Sequence, residues 1–220
     1  MTDTPAVADR MDRMYRSQRH FYDFTRKYYL LGRDRLIYRL APPPGGRVLE
    51  IGCGTARNLA VAARAYPEAT FFGVDISAEM LETARRAVGW GQIRLAMADA
   101  TSFDASRLFG VRDFSRVFLS YSLSMIPDWP AAVERAVSCL APGGELHIVD
   151  FGRQEGLPAC LRIGLRRWLS AFHVTPRDEL EEWLAPHARQ SGATTTVEHP
   201  YGGYAQYAVV RRPRREIGDG

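Results

Sequence analysis

Between Arg47 and Asp150 the sequence alternates short apolar runs with longer amphipathic stretches. A chain written this way has few choices. Each apolar run is a strand covered on both faces, and each amphipathic stretch is a helix that covers it, so the pattern predicts a parallel α/β sheet. Strands are expected at Arg47 to Ile51, Thr70 to Val74, Ile93 to Ala96, Val117 to Ser120 and Glu145 to Asp150. Helices are expected at Ala56 to Ala65, Ala78 to Val88 and Trp129 to Leu140, with Ala141-Pro-Gly-Gly144 as a turn before the fifth strand. Further on, Leu157 to Phe172 and Asp178 to Ala185 read as helical. Thr194 to Glu198 and Tyr204 to Val210 read as two strands joined across Tyr201-Gly-Gly-Tyr204. Ahead of the sheet, Asp9 to Leu40 is helical in pattern and is stopped by Pro42 to Gly46. The 220 residues suit one large domain. The expected layout is an amino-terminal helical lid over 1–46, a core over 47–211 and a flexible tail over 212–220.

Composition narrows the function classes. With 46% hydrophobic and 25% charged residues the chain is ordinary globular protein. No run approaches the roughly 18 apolar residues of a membrane span, and Met1 to Arg19 holds no apolar leader, so a cytoplasmic protein is expected. Three cysteines, Cys53, Cys139 and Cys160, lack metal-ligand spacing and are odd in number, which predicts reduced thiols and no metal. Lys27 is the only lysine, so the net charge of +4 rests on arginine, the side chain that best grips phosphate and carboxylate. The arginines are dispersed and no basic-aromatic strand platform is present, which argues against nucleic acid as partner.

Three strand ends carry candidate ligand groups. Val48-Leu-Glu-Ile-Gly-Cys-Gly-Thr55 puts Gly52 and Gly54 directly after the first strand, where absent side chains let a ligand approach the backbone. Arg57 stands where a dinucleotide fingerprint would have its third glycine, and Glu50 would repel a diphosphate; a cationic ligand is favoured. Asp75 ends the second strand, with Ile76 beside it, and its carboxylate offers paired acceptors to ribose hydroxyls. After the third strand, Asp99 and the amide of Ala100 can read an adenine edge, and Met80 can cover the adenine face. Each piece has a plainer reading: a tight strand-to-helix turn for the glycines, a relative of a helix cap for Asp75 beside the better cap Ser77, and core packing for Met80.

Taken in order, VLEIGCGTARN, FFGVDISAEML and the ADA after the third strand resemble the motifs of class I S-adenosylmethionine-dependent methyltransferases, over about residues 47 to 150. The resemblance implies a Rossmann-like, seven-stranded, mostly parallel sheet with an antiparallel last strand, and S-adenosylmethionine as cofactor. It implies cofactor contacts from Glu50, Gly52, Gly54, Asp75, Ile76, Met80, Asp99, Ala100 and Ser120. For the methionine end of the cofactor, Arg33 is the candidate for the carboxylate and Glu50 for support near the ammonium, with Tyr22 closing over the site.

A narrower resemblance concerns the substrate. Tyr22-Asp23, Tyr28-Tyr-Leu-Leu-Gly-Arg33 and Phe172-His-Val-Thr-Pro-Arg177 resemble bacterial enzymes that N-methylate diacylglyceryl homoserine to the betaine lipid diacylglyceryl trimethylhomoserine, with bacterial phosphatidylethanolamine N-methyltransferases as near relatives. That implies a lipid headgroup amine as acceptor and peripheral work at the inner face of a membrane. Tyr22 and Tyr121, with Ser120, are candidates to orient the amine nitrogen; no dedicated base is compelled, and His20, His147 and His173 are relays at most. A soluble small-molecule methyltransferase and a non-catalytic S-adenosylmethionine-binding module stay open.

The membrane expectation has one physical carrier. At about 100° per residue, Leu157, Leu161, Leu165, Trp168, Leu169 and Phe172 share an arc of about 120°, flanked by Arg162 and Arg166, as in a helix resting in a headgroup layer. The same stripe equally suits a helix packed on its own core.

Overall fold

The computed structural model describes residues 30–88 and 93–214. Seven strands form one sheet: β1 (Arg47–Ile51), β2 (Thr70–Asp75), β3 (Ile93–Met97), β4 (Phe114–Ser120), β5 (Leu140–Phe151), β6 (Thr194–Glu198) and β7 (Ala205–Arg211). Their spatial order is β3-β2-β1-β4-β5-β7-β6. β1 to β5 are mutually parallel, and β7 runs antiparallel to both β5 and β6. Helices α1 (Arg33–Leu40), α2 (Arg57–Ala65), α3 (Ala78–Val88), α4 (Ala105–Phe109), α5 (Trp129–Ser138), α6 (Ala159–Ala171) and α7 (Leu180–Gln190) cover the two faces.

Alternation along the strands sorts the core. In β1, Val48 faces one apolar cluster with α1, α2, α3 and Leu169 of α6; Leu49 and Ile51 face the other, with α4, α5 and α7. The strand order reverses between β1 and β4, and that reversal opens a crevice at the carboxyl ends of the strands, where open α/β sheets bind ligands.

Several boundaries differ from the sequence reading for local reasons. α4 was not expected; Asp104 caps it by accepting from the Ser106 and Arg107 amides at 2.9 and 3.4 Å, and Gly110 closes it in the left-handed region. β5 begins at Leu140, which pairs with Phe114 before a register shift, so Pro142-Gly-Gly144 is an irregularity inside the strand and not a turn ahead of it. α7 continues to Gln190, with Pro186 inside it.

Within the segment read as a lid, α1 is a core helix. Leu36 and Leu40 are fully buried, and Arg116 of β4 donates to the Leu40 and Ala41 carbonyls at 2.5 and 3.0 Å. Arg35 and Arg39 both bind Glu198 on β6, at 2.5 and 2.6 Å. Tyr22, His20 and any covering role of the residues before Leu30 lie outside the described residues.

Candidate active site at the carboxyl ends of β1 and β4

The loop after β1 is shaped by two close approaches. Gly52 has φ +72°, and a Cβ on it would lie 2.5 Å from the Ser122 Cβ on the far side of the crevice. Any larger residue would force the two sides apart. Gly73, in β2, has the Leu59 side chain, the Cys53 sulfur and the Leu95 side chain 2.7 to 2.9 Å from where its Cβ would be, so the loop also sits tightly on β2. The amides of Gly52 and Cys53 donate to the Val74 carbonyl at 2.9 and 3.1 Å.

Asp75 completes the loop. Its two oxygens accept from the Gly54 amide at 2.7 Å and from the Ser77 amide at 2.9 Å. The carboxylate is therefore not held in reserve for a ligand alone; it also ties the glycine loop to the start of α3. Ser77 is the cap of that helix, its hydroxyl accepting from the Met80 amide at 3.2 Å. Met80 is buried, Ile76 half-buried, and Asp99 folds into an Asx turn, accepting from the Thr101 amide and hydroxyl at 2.8 and 2.7 Å, with Ala100 half-buried beside it. These residues stand at the adjacent ends of β2 and β3.

Beneath the loop is a buried acid. Glu50 is fully buried and accepts from the Asn58 side-chain amide at 2.7 Å, while the Asn58 Oδ1 is buried with no partner among the described residues. Burial pushes the Cys53 thiol well above its ordinary range, and the charges of Asp75 and Glu50 push it further. The thiol is thus no nucleophile, and its surroundings are negative. That field, the room left by Gly52 and the carboxylate of Asp75 fit a cationic sulfonium nucleoside such as S-adenosylmethionine and disfavour a diphosphate.

The other wall is the segment after β4. The Ser120 hydroxyl is buried and has no hydrogen-bond partner among the described residues, as suits a group aimed at a ligand. Ser122 accommodates Gly52 and donates to the Ile51 carbonyl at 3.0 Å. Tyr121 has φ +54°, a strained position for a residue with a side chain. It is almost wholly buried, and its hydroxyl donates to the Leu31 carbonyl at 2.5 Å, so the donor expected to orient an amine instead fastens the chain entering α1. Burial raises its phenol well above the ordinary value, with the charge of Asp150 adding to this and that of Arg33 opposing it. Arg33 is itself buried, following Gly32 at φ +87°. It lies at the site end of the sheet.

Two participants were missed in the sequence. Asp150, fully buried at the end of β5, accepts from the Ser124 and Phe151 amides at 2.9 and 2.8 Å and so positions the segment after β4; burial raises its carboxyl above the ordinary value. Its place at a strand end, next to the β4 wall, was the available signal. Asn58 was quoted in the glycine motif without a role. His147 is not a relay: it is buried between Tyr207 and Glu145, with ring nitrogens 2.7 and 3.1 Å from their oxygens, and burial holds it below its ordinary value. His173 is exposed after α6. Among the described residues, no group of His, Cys, Asp and Glu is arranged to hold a metal.

Residues 48–144 match the family model described as a methyltransferase domain. Over these residues the chain carries a methyltransferase domain, built on the class I fold. A trans-aconitate 2-methyltransferase of Azoarcus sp. is 32% identical over 167 residues, covering 70% of this chain and 62% of that protein. An O-methyltransferase of Pyrenophora dematioidea is 28% identical over 156 residues, covering 68% and 56%. The chain thus spans less than two thirds of the length of these curated relatives. Among solved structures, phosphoethanolamine N-methyltransferase 2 of Haemonchus contortus, in complex with S-adenosyl-L-methionine, superposes with a TM-score of 0.66 at 19% identity, over 83% of this chain and 52% of that one. The YcgJ protein of Bacillus subtilis superposes with a TM-score of 0.62 at 16% identity, over 83% and 98%. These two likenesses concern the fold of the methyltransferase domain.

Proposed function

We propose that this methyltransferase domain transfers methyl groups to a lipid headgroup amine, the homoserine amine of diacylglyceryl homoserine, in successive steps that end at the trimethylated betaine. The observation that carries the reading is the convergence of the two segments with betaine-lipid wording on one wall of the site. Leu31, just ahead of Gly32-Arg33, accepts from Tyr121. From the other segment, the Thr175 amide donates to the Ser124 carbonyl at 2.9 Å, and Arg177 donates to the Leu123 and Ile126 carbonyls at 3.3 and 2.6 Å. Both segments therefore bear on residues 121–126, where an acceptor would meet the donor.

S-adenosylmethionine, when bound, supplies the methyl group from its sulfonium. Asp75 would hold its ribose, Glu50 and Asn58 would set the field near its ammonium, and Asp99 and Ala100 would meet the adenine. Arg33 is the proposed partner of its carboxylate. The Ser120 hydroxyl would accept an N–H of the incoming amine, leaving the lone pair of the neutral base free to attack. Each methylated nitrogen sheds its proton to water before the next transfer, so the chain needs orientation and partial exclusion of water more than a base.

A second reading is supported by the names of the relatives: a soluble small molecule as acceptor, methylated on oxygen. The separating experiment presents the full chain and S-adenosylmethionine with vesicles containing diacylglyceryl homoserine, vesicles containing phosphatidylethanolamine, and a panel of soluble amines and carboxylic acids, with products read by mass spectrometry. Stepwise methylation of diacylglyceryl homoserine is expected. Turnover of soluble acceptors alone would overturn the lipid reading.

A further inference from the structure

α6 is half packed and half free. Its sequence from Ala159 to Ala171 contains three arginines and no acid. Towards the carboxyl end Leu169 is 1% exposed, and Leu165, Trp168 and Phe172 lie against the same apolar cluster. Towards the amino end Leu161 is 59% exposed and Ile163 53% exposed, although Leu161 falls in the middle of the predicted apolar arc. Two residues apart on a helix means about 200° of rotation, so these side chains point to nearly opposite sides. Half-buried Arg162 stands between them on the side of buried Leu169, so here both flanks of the helix are open. A Cβ placed on Gly164 would meet nothing within 4 Å, which agrees.

The helix has a fixed base. Arg166, expected among the outward cations, turns inward and donates to the Gln154 side-chain Oε1 at 3.0 Å and to Asp178 at 2.8 Å. Gln154 is itself fully buried. Gly156, just before the helix, lies against Gly202 so closely that a Cβ would come within 2.8 Å of the Gly202 Cα. The neighbouring Tyr201 is 49% exposed and packs beside Gly32, and Leu31, the carbonyl partner of Tyr121, is 37% exposed. Exposed apolar groups therefore stand both at the edge of the active site and on the amino-terminal half of α6.

We propose that this rim, Ala159–Gly164 with Leu31 and Tyr201, seats the protein on an anionic lipid bilayer with the active site facing the headgroups. The proposal rests on the lipid-amine reading and names the surface that reading requires. Charge selects the occupant. A rim of Leu, Ile and Tyr flanked by Arg162 and Arg167, neither of which has an acidic partner among the described residues, and on a helix without any acid, complements an anionic headgroup layer. A second copy presenting the same acid-free helix would bring like charges together.

Cys160 sits near the amino end of α6 and is exposed, whereas Cys53 and Cys139 are buried, so a thiol-reactive, environment-sensitive fluorophore can be attached there in the full chain. The labelled protein is mixed with vesicles of phosphatidylcholine alone or with phosphatidylglycerol, at low and high salt. Flotation and methylation of diacylglyceryl homoserine in the same vesicles are measured in parallel. A blue shift with anionic vesicles only is expected, weakened by salt, abolished by Leu161→Glu with Ile163→Glu, and weakened about fivefold by Arg167→Gln. The glutamate variants should unfold at the wild-type temperature and bind S-adenosylmethionine as the wild type does. Flotation and lipid methylation without a shift at Cys160 would overturn this surface while leaving the lipid-amine reading standing. A fluorophore already shielded in buffer and unchanged by vesicles would show that the rim is covered by the chain itself or by a second copy, and would also overturn it. Absence of both flotation and lipid methylation with the wild-type chain would remove this surface and the lipid-amine reading together.

Discussion

Gly52→Ala tests the argument that the crevice is held open by one missing side chain. Two costs are expected. Placing an L side chain at φ +72° costs about 1–2 kcal/mol. The new Cβ would also stand 2.5 Å from the Ser122 Cβ and 3.0 Å from its hydroxyl, an overlap of the kind that costs about 1–3 kcal/mol. Ser122 cannot simply rotate away, because its hydroxyl donates to the Ile51 carbonyl at 3.0 Å. The single variant should therefore lose about 2–5 kcal/mol. Ser122→Gly alone should cost about 1 kcal/mol for that hydrogen bond. Combining them removes the overlap but not the dihedral cost, so the double variant should be more stable than the sum of the singles by about 1–3 kcal/mol. Urea unfolding of the four proteins measures this coupling, and calorimetry with S-adenosylmethionine on the same samples shows whether the site follows the loop. Additivity to within about 0.5 kcal/mol would refute the reasoning, since residues with no shared contact add.

Asp75→Ala should weaken S-adenosylmethionine binding at least tenfold, from charge-assisted bonds of about 1.5–3 kcal/mol each, and should also lower stability, because the Gly54 and Ser77 amides lose their acceptor; unchanged affinity by calorimetry would sink the ribose assignment. Glu145, held down to about 2 first by the hydrogen bond with His147 and then by Arg211, has a folded value below its ordinary 4.5. Its stabilisation is present above 4.5 and lost as pH falls toward 2, so Glu145→Gln should flatten that limb of the thermal-unfolding profile. The decline that begins below 6.5, where buried His147 resists the proton that the unfolded chain accepts, should persist.

Apart from α4, strand and helix order was legible because it is written in short-range periodicity, and each of the seven sheet strands contains a run the eye can find, although β4 and β5 begin three and five residues ahead of theirs. Gly52, Gly54 and Asp75 were legible for a related reason: in a parallel sheet, residues that follow successive strands arrive at the same edge whatever the details of packing. The hidden parts depend on distances between segments far apart in the chain. Nothing local announces that Ser122 faces Gly52 at 2.5 Å from a would-be Cβ, that Tyr121 reaches the Leu31 carbonyl, or that Asp150 holds the Ser124 amide. The segment read as a lid shows the same limit at the scale of a helix: α1 has the pattern of any amphipathic helix, and its place on the sheet is set by Arg116 and Glu198, 76 and 159 residues away from the groups they bind. α6 shows it most plainly. Periodicity states which side of a helix is apolar, but how far the supporting core extends beneath it is decided by the fold, and here the core ends near Leu165 while the apolar side chains continue to Leu161.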